Sequence, residues 1–209
     1  SRWMNKRTDC MDKPLNIYEV HLGSWKKPES EEGKCEWYNY SEIADNLIDY
    51  VLEYGYNYIE FMPLSEHPCD ESWGYQITGF FAPTSRYGTP QQLMELIDKC
   101  HKKGIGVIMD FVPVHFAVDH YGLTEYDGTK LYEYPTHDIG YNEWGSRNFM
   151  HSKGEVRSFL QSAANYWLDI YHFDGLRMDA IRNIIFWNGD ENRGENYPAI
   201  NFIKCMNKG

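Results

Sequence analysis

The regular alternation of short apolar runs with longer helical ones most constrains this fold. Four runs are typical of strands, at residues 15–20, 58–62, 105–109 and 173–178. Four longer runs are typical of helices with one apolar face, at residues 42–53, 90–103, 155–171 and 196–206. A strand–helix order repeated four times predicts a parallel sheet covered by helices. The chain is therefore expected to be an α/β protein.

Local signals support these boundaries. Ser41 is a candidate N-cap for the first helix, and Gly55 stands where a helix terminator is expected. Thr89 and Pro90 form a good helix start, with threonine as the cap and proline in the first turn. Residues 113–150 form a long polar connection, and connections of that length are usually functional.

Two architectures fit this order of elements, namely an open doubly wound sheet and a (β/α)8 barrel. Residue periodicity does not choose between them. No G-x-G-x-x-G motif follows the first strand, so a dinucleotide-binding sheet has no support. Both architectures collect functional side chains at the carboxyl ends of the strands.

Composition excludes several classes of partner. With 20 Lys and Arg against 31 Asp and Glu, the net charge is −11, which disfavours nucleic acid. No apolar run approaches the ~18 residues of a membrane span. The five cysteines include no C-x-x-C pair, so reduced thiols and a cytoplasmic location are expected, with neither a disulfide framework nor a structural zinc site.

Candidate chemistry begins at the fourth strand. Arg177 and Asp179 are two residues apart, so in a strand both side chains lie on the same face. The guanidinium favours an ionised Asp179, which suits a nucleophile rather than an acid. A structural ion pair that closes the end of the sheet is the alternative interpretation.

Two earlier segments supply further polar and aromatic candidates. Asp110 ends the third strand, where its charge needs a partner, and Arg177 on the next strand is the natural one. His115 follows and could donate a hydrogen bond to a sugar hydroxyl or be merely packed. In the second loop, Trp73, Tyr75 and Gln76 surround a glycine that could hold an aromatic face open to a sugar; core packing of Tyr75 is the alternative.

These segments resemble the α-amylase superfamily and, more narrowly, the bacterial-type glycogen (1,4-α-glucan) branching enzymes. The resemblance runs over nearly all 209 residues and lies in ordered motifs at residues 18–25, 66–76, 110–116, 125–133, 154–157 and 173–181. It implies a partial (β/α)8 TIM barrel. Residues 1–209 would be its amino-terminal half, with 113–150 a loop excursion and the flanking carbohydrate-binding and carboxyl-terminal domains absent.

The resemblance also implies roles. Asp179 would be the nucleophile that forms a covalent glycosyl-enzyme, and Arg177 would orient it. Asp110, His115 and Tyr75 would line the sugar subsite, with Tyr75 as the stacking platform. The reaction would break an α-1,4 bond and form an α-1,6 bond, with α-1,4-glucan such as glycogen or amylose as donor and acceptor and with no cofactor or metal.

The second carboxyl group of a retaining mechanism is not evident among these residues. In the family it is a glutamate that ends the fifth strand, whereas Glu191 and Glu195 follow the fourth strand and are rejected for this role. The 209 residues alone are therefore expected to be inactive, and to self-associate through unpaired sheet edges and an apolar concave face.

Two other functions remain open. An α-amylase-type hydrolase or a debranching enzyme is the nearer one, and the segments 113–116 and 127–129 favour branching over it. A non-catalytic barrel that binds glycan or protein is the more distant one. The joint presence of Asp110, Arg177 and Asp179 argues against it.

Overall fold

The computed structural model describes residues 14–29 and 36–208. Its strands are β1 (Ile17–Val20), β2 (Tyr58–Phe61), β3 (Ser65–Glu66), β4 (Gly79–Pro83), β5 (Gly106–Phe111), β6 (His115–Phe116), β7 (Arg147–Asn148) and β8 (Gly175–Met178). Its helices are α1 (Leu22–Trp25), α2 (Tyr40–Glu53), α3 (Pro90–Lys102), α4 (His137–Gly140), α5 (Gly154–Asp169), α6 (Ile181–Ile185) and α7 (Tyr197–Met206).

The central sheet has the strand order β1-β2-β5-β8, and every pairing is parallel. This confirms the α/β class and the parallel arrangement, in the consecutive order of a barrel wall rather than of a doubly wound sheet. One face packs against α2, α3 and α5 through a continuous core that includes Leu47, Phe61 and Trp167. The indole of Trp167, fully buried, donates to the carbonyl of Phe80 at 2.9 Å.

The helix ends follow their sequence signals with one correction. Thr89 caps α3, as predicted, and its capping box with Gln92 is an addition from the structure. Gly55 follows α2 with a φ of +76°. The cap of α2 is Asn39 and not Ser41, because the Asn39 side chain accepts from the amides of Ser41 and Glu42. Ser41 instead lies inside the helix.

The connections contain structure that periodicity did not predict. Strands β3 and β4 form a hairpin in the second loop, and β6 and β7 pair within the long connection. Helix α6, directly after β8, was also missed. These elements are only two to five residues long, which is too short to leave a clear repeating pattern in a sequence.

The other face of the central sheet would be the concave, inner face of the implied barrel. The sequence-based expectation was that this face is apolar, but it carries charged residues. Glu19 of β1 and Glu60 of β2 are register partners on this face, and Glu60 is also the register partner of Ile108. Asp110 and Arg177 are register partners two residues further along β5 and β8. Glu19 is exposed and Glu60 half-buried. Among the described residues, β1 and β8 each have one unpaired edge.

None of the helices in the described ranges is both long and apolar enough to cross a membrane. Three cysteines fall in those ranges, Cys69, Cys100 and Cys205, and all have free thiols. Cys10 and Cys35 lie outside the described residues.

Gly106 provides a test of the concave face. A Cβ built at Gly106 would lie 2.1 Å from the Tyr58 ring, whereas one at Gly175 meets only Ile108, at 3.9 Å. Gly106→Ala should therefore lower the free energy of unfolding by about 1–3 kcal/mol through overpacking, measured by urea unfolding. Gly175→Ala is the matched control and should change it by less than ~1 kcal/mol. Equal effects of the two substitutions would contradict this packing.

Candidate functional site

A cluster of charged groups lies at the carboxyl ends of β5 and β8. Asp110 and Arg177 are register partners across the two strands, and Arg177 Nη1 donates to Asp110 Oδ2 at 2.9 Å. The same nitrogen donates to Asp179 Oδ1 at 3.0 Å. One guanidinium nitrogen thus joins the two carboxylates, as expected for a strand that presents residues 177 and 179 on the same side.

Tyr75 joins this cluster from the second loop. Its hydroxyl donates to Asp110 Oδ2 at 2.5 Å. The loop turns sharply before it, because Trp73 and Gly74 have φ angles of +54° and +91°. A Cβ at Gly74 would lie 2.4 Å from the Pro63 carbonyl oxygen, so only glycine allows this approach.

His115 contacts the same loop through its imidazole. Its Nε2 lies 3.0 Å from the Tyr75 carbonyl oxygen, and a carbonyl only accepts, so Nε2 carries the hydrogen. The structure thus gives this hydrogen a protein acceptor instead of leaving it for a sugar. Burial lowers the pKa of His115 and favours the neutral ring. Nδ1 is then an acceptor, buried and without a hydrogen-bond partner among the described residues.

Burial dominates the electrostatics of the cluster. The Asp110 side chain has no exposed surface, and burial raises its pKa to about 6, although the Tyr75 hydrogen bond and the Arg177 charge act to lower it. Burial and the hydrogen bond to Asp110 likewise raise the pKa of Tyr75. Burial acts to lower the pKa of Arg177, but the carboxylates of Asp110 and Asp179 outweigh it and raise the pKa.

An open cavity of about 350 Å³ lies beside this cluster, lined by Ser72, Tyr75, Gln76, His115, Trp144 and Asp179. Its volume is at the lower end of the roughly 300–1,000 Å³ found for small-molecule sites. Asp179 is the one carboxylate in the lining and its side chain is 19% exposed. The cavity therefore offers an accessible carboxylate beside two aromatic side chains.

Six of the seven sequence-predicted residues come together here. Asp110 and Arg177 form the charged cluster, and Tyr75, Gln76, His115 and Asp179 line the cavity. Trp73 does not: it is 57% exposed, outside that lining, and its ring lies 6.3 Å from that of His21. The left-handed turn at residues 73 and 74 separates the Trp73 and Tyr75 side chains.

Sequence reasoning missed two residues of the lining, Ser72 and Trp144. Trp144 lies in the long connection, between the motifs at residues 125–133 and 154–157 and in neither of them. An aromatic residue next to a glycine is the signal that singled out Tyr75, which follows Gly74. Trp144, directly before Gly145, shows the same signal. Without the tertiary structure, however, nothing connects residue 144 to the carboxyl ends of the strands.

The raised pKa of Asp110 predicts a pH dependence of stability. Because the folded-state pKa of about 6 exceeds the ordinary 3.8, the folded state binds this proton more tightly, and stability falls as the pH rises from about 4 to 6. The wild-type chain should therefore lose roughly 2–3 kcal/mol relative to Asp110→Asn between pH 4 and 7. Chemical unfolding of both proteins at each pH measures the difference in their free energies of unfolding. A difference that stays constant from pH 4 to 7 would contradict the raised pKa of Asp110.

Comparison with known proteins places the chain in a family. The family profile described as "Alpha amylase, catalytic domain" matches residues 41–144. The 1,4-alpha-glucan branching enzyme GlgB of Nitrosomonas eutropha is 46% identical over 98% of this chain and 29% of its own length. The GlgB of Halothermothrix orenii is 50% identical over 94% of this chain and 32% of its own length. The chain thus spans about a third of the length of these relatives.

Solved structures agree on the fold. A putative α-amylase from Salmonella typhimurium superimposes with a TM-score of 0.66 at 25% identity, over 100% of this chain and 30% of that one. The α-amylase of Geobacillus thermoleovorans, complexed with acarbose, gives 0.70 at 20% identity, over 93% of this chain and 44% of that one. The chain therefore belongs to the α-amylase superfamily and, within it, to the family of the bacterial 1,4-alpha-glucan branching enzymes.

Proposed function

We propose that the complete protein carrying these residues is a glycogen-branching glycosyltransferase that cleaves α-1,4 bonds of a glucan and forms α-1,6 bonds. The observation that carries the proposal is the shared Arg177 nitrogen, which holds Asp179 at the cavity and Asp110 beneath it. The identity to branching enzymes over nearly the whole chain supports this substrate class. A neutral polysaccharide is also compatible with a net charge of −11.

In the proposed first step, an Asp179 oxygen attacks C1 of a glucosyl unit while the bond from C1 to O4 breaks. The departing O4 takes a proton from a general acid. In the second step, the 6-hydroxyl of an acceptor glucan attacks C1, its proton returns to that same group, and Asp179 is released as a carboxylate. Arg177 keeps Asp179 oriented throughout.

The remaining cavity residues are proposed to bind the sugar that reacts. Tyr75 would offer its ring face to this unit, since its hydroxyl is held by Asp110. His115 would present its unpaired Nδ1 as an acceptor for a sugar hydroxyl. Gln76 would border the same unit from the second loop, while Trp73 has no place in the proposed subsite.

The proton donor is proposed to lie outside the described residues, as the family resemblance implies. Glu191 is 65% exposed and pairs with Arg182, and Glu195 is exposed. Neither belongs to the cavity lining. A cytoplasmic location is proposed as well, supported by the free thiols of the three described cysteines.

Asp179→Asn tests the nucleophile in the complete protein. Branching of amylose should fall by about 10³-fold or more, because the amide cannot form the glycosyl-enzyme. New α-1,6 bonds are counted by enzymatic debranching, and released reducing ends are counted in parallel. Asp169→Asn, an exposed position at the end of α5, is the matched control and should leave the rate unchanged.

Each competing function gives a different result in this assay. An α-amylase-type hydrolase would release reducing ends from amylose without new α-1,6 bonds. A debranching enzyme would leave linear amylose unchanged and would release reducing ends only from a branched glucan such as glycogen, which is assayed in parallel. A non-catalytic barrel would bind glucan and produce neither. An Asp179→Asn protein that branches amylose at the wild-type rate would refute the assigned role of Asp179.

The 209 residues expressed alone are proposed to be inactive and to associate through the free edges of β1 and β8. Incubation with amylose should give no new α-1,6 bonds, because a positioned general acid contributes roughly 10²–10⁴-fold. Light scattering should give a mass above that of a single chain of 24.7 kDa. Branching activity, or a monodisperse single chain, would contradict the corresponding part of this proposal.

A further inference from the structure

Trp144 is the aromatic residue of the cavity that the proposed chemistry does not use. It belongs to the long connection between β5 and α5, and its side chain lines the cavity together with Tyr75 and Asp179. The residue is 48% exposed. The indole is therefore not part of the packed core, and it borders the cavity that holds Asp179.

The backbone around Trp144 is held in a defined turn. The Asn142 side-chain oxygen accepts from the amides of Trp144 and Ser146 at 3.1 and 3.0 Å. The Gly145 amide donates to the Asn142 carbonyl at 3.1 Å, and Gly145 has a φ of +75°. Such an Asx-type turn fixes the direction in which the tryptophan leaves the chain.

A second set of contacts joins this turn to the second loop, which carries Tyr75 and Gln76. Ser146 is fully buried, and its hydroxyl donates to Gln76 Oε1 at 2.6 Å. The Trp144 ring also lies 5.4 Å from the His115 ring, at an angle of 48°. The long connection and the Tyr75 loop are thus anchored to each other next to Asp179.

A half-exposed indole on such a support is suited to stacking against a pyranose ring. Tryptophan supplies a large apolar face at a small cost in conformational entropy. Because the turn is already ordered, ligand binding does not incur the entropy loss of ordering it, and the affinity is correspondingly higher. Tyr75 and Trp144 then form two aromatic platforms in one cavity, enough to hold two adjacent sugar units.

We propose that Trp144 is the stacking platform for the glucosyl unit next to the one that reacts, on the side of the leaving chain and of the acceptor. The proposal rests on the proposed function. Tyr75, bonded to the Asp110 cluster, holds the reacting unit, so the platform on the long connection is left for its neighbour. In a two-step transfer the acceptor enters where the leaving chain departed, and Trp144 serves both.

Two measurements on the complete protein test this assignment. The first is the dissociation constant of maltoheptaose in an Asp179→Asn background, where no turnover occurs. The second is the number of reducing ends released per new α-1,6 bond in otherwise wild-type protein. The variants are Trp144→Ala, Trp144→Phe and, as control, Tyr126→Ala, an aromatic residue of the same connection that is 67% exposed and outside the cavity lining.

Trp144→Ala is expected to weaken maltoheptaose binding about fivefold to tenfold, as the loss of one aromatic contact implies. It should also raise the ratio of released ends to branches, because water competes better when the acceptor is held less firmly. Trp144→Phe should stay within about threefold of wild type in both measurements, and Tyr126→Ala should match wild type. Rescue of both measurements by Trp144→Phe, which keeps an aromatic face on the same turn, distinguishes a stacking role from the loss of the side chain alone.

Unchanged maltoheptaose binding and an unchanged product ratio in Trp144→Ala would overturn the assignment. Weaker binding with an unchanged product ratio would overturn its placement on the acceptor side. A wild-type protein that forms no α-1,6 bonds refutes the proposed function instead. The maltoheptaose comparison then still decides whether Trp144 is a glucan platform.

Discussion

The buried carboxylate of Asp110 is the constraint on which the site depends. A charge removed from water is costly unless it is paired and hydrogen-bonded, and Asp110 obtains both from residues distant in the sequence. Tyr75 donates from the second loop and Arg177 from the neighbouring strand, both to Oδ2. Because Arg177 also donates to Asp179, the pairing of one buried oxygen fixes the position of the accessible carboxylate. Asp110 Oδ1 stays buried without a hydrogen-bond partner among the described residues.

The loops around the cavity are supported by close contacts in addition to the short strand pairs β3–β4 and β6–β7. Gly74 brings the backbone against the Pro63 carbonyl, which no larger residue could do. Ser146 joins the long connection to Gln76, and His115 donates to the Tyr75 carbonyl. Each contact is between different segments, so the cavity walls hold their relative positions without any ligand.

Strong local signals predicted much of the fold and the pairing at its centre. The Thr89 cap was visible in the sequence because a threonine directly before a proline is a strong local signal for a helix start. The pairing of Asp110 with Arg177 was predictable because a charge at the end of an apolar strand needs a partner. Asn39, the actual cap of α2, was overlooked because Ser41, two residues later, is an equally good capping residue by type.

The sequence by itself determined which segments become the four central strands and the four longer helices, because apolar periodicity and caps act over a few residues. It also determined that Arg177 and Asp179 share one side of a strand. Only the tertiary structure decided that Trp73 turns away from the cavity while Trp144 enters it. Those positions depend on left-handed turns and on contacts between segments some seventy residues apart, such as Gln76 and Ser146, and no local pattern encodes such distances.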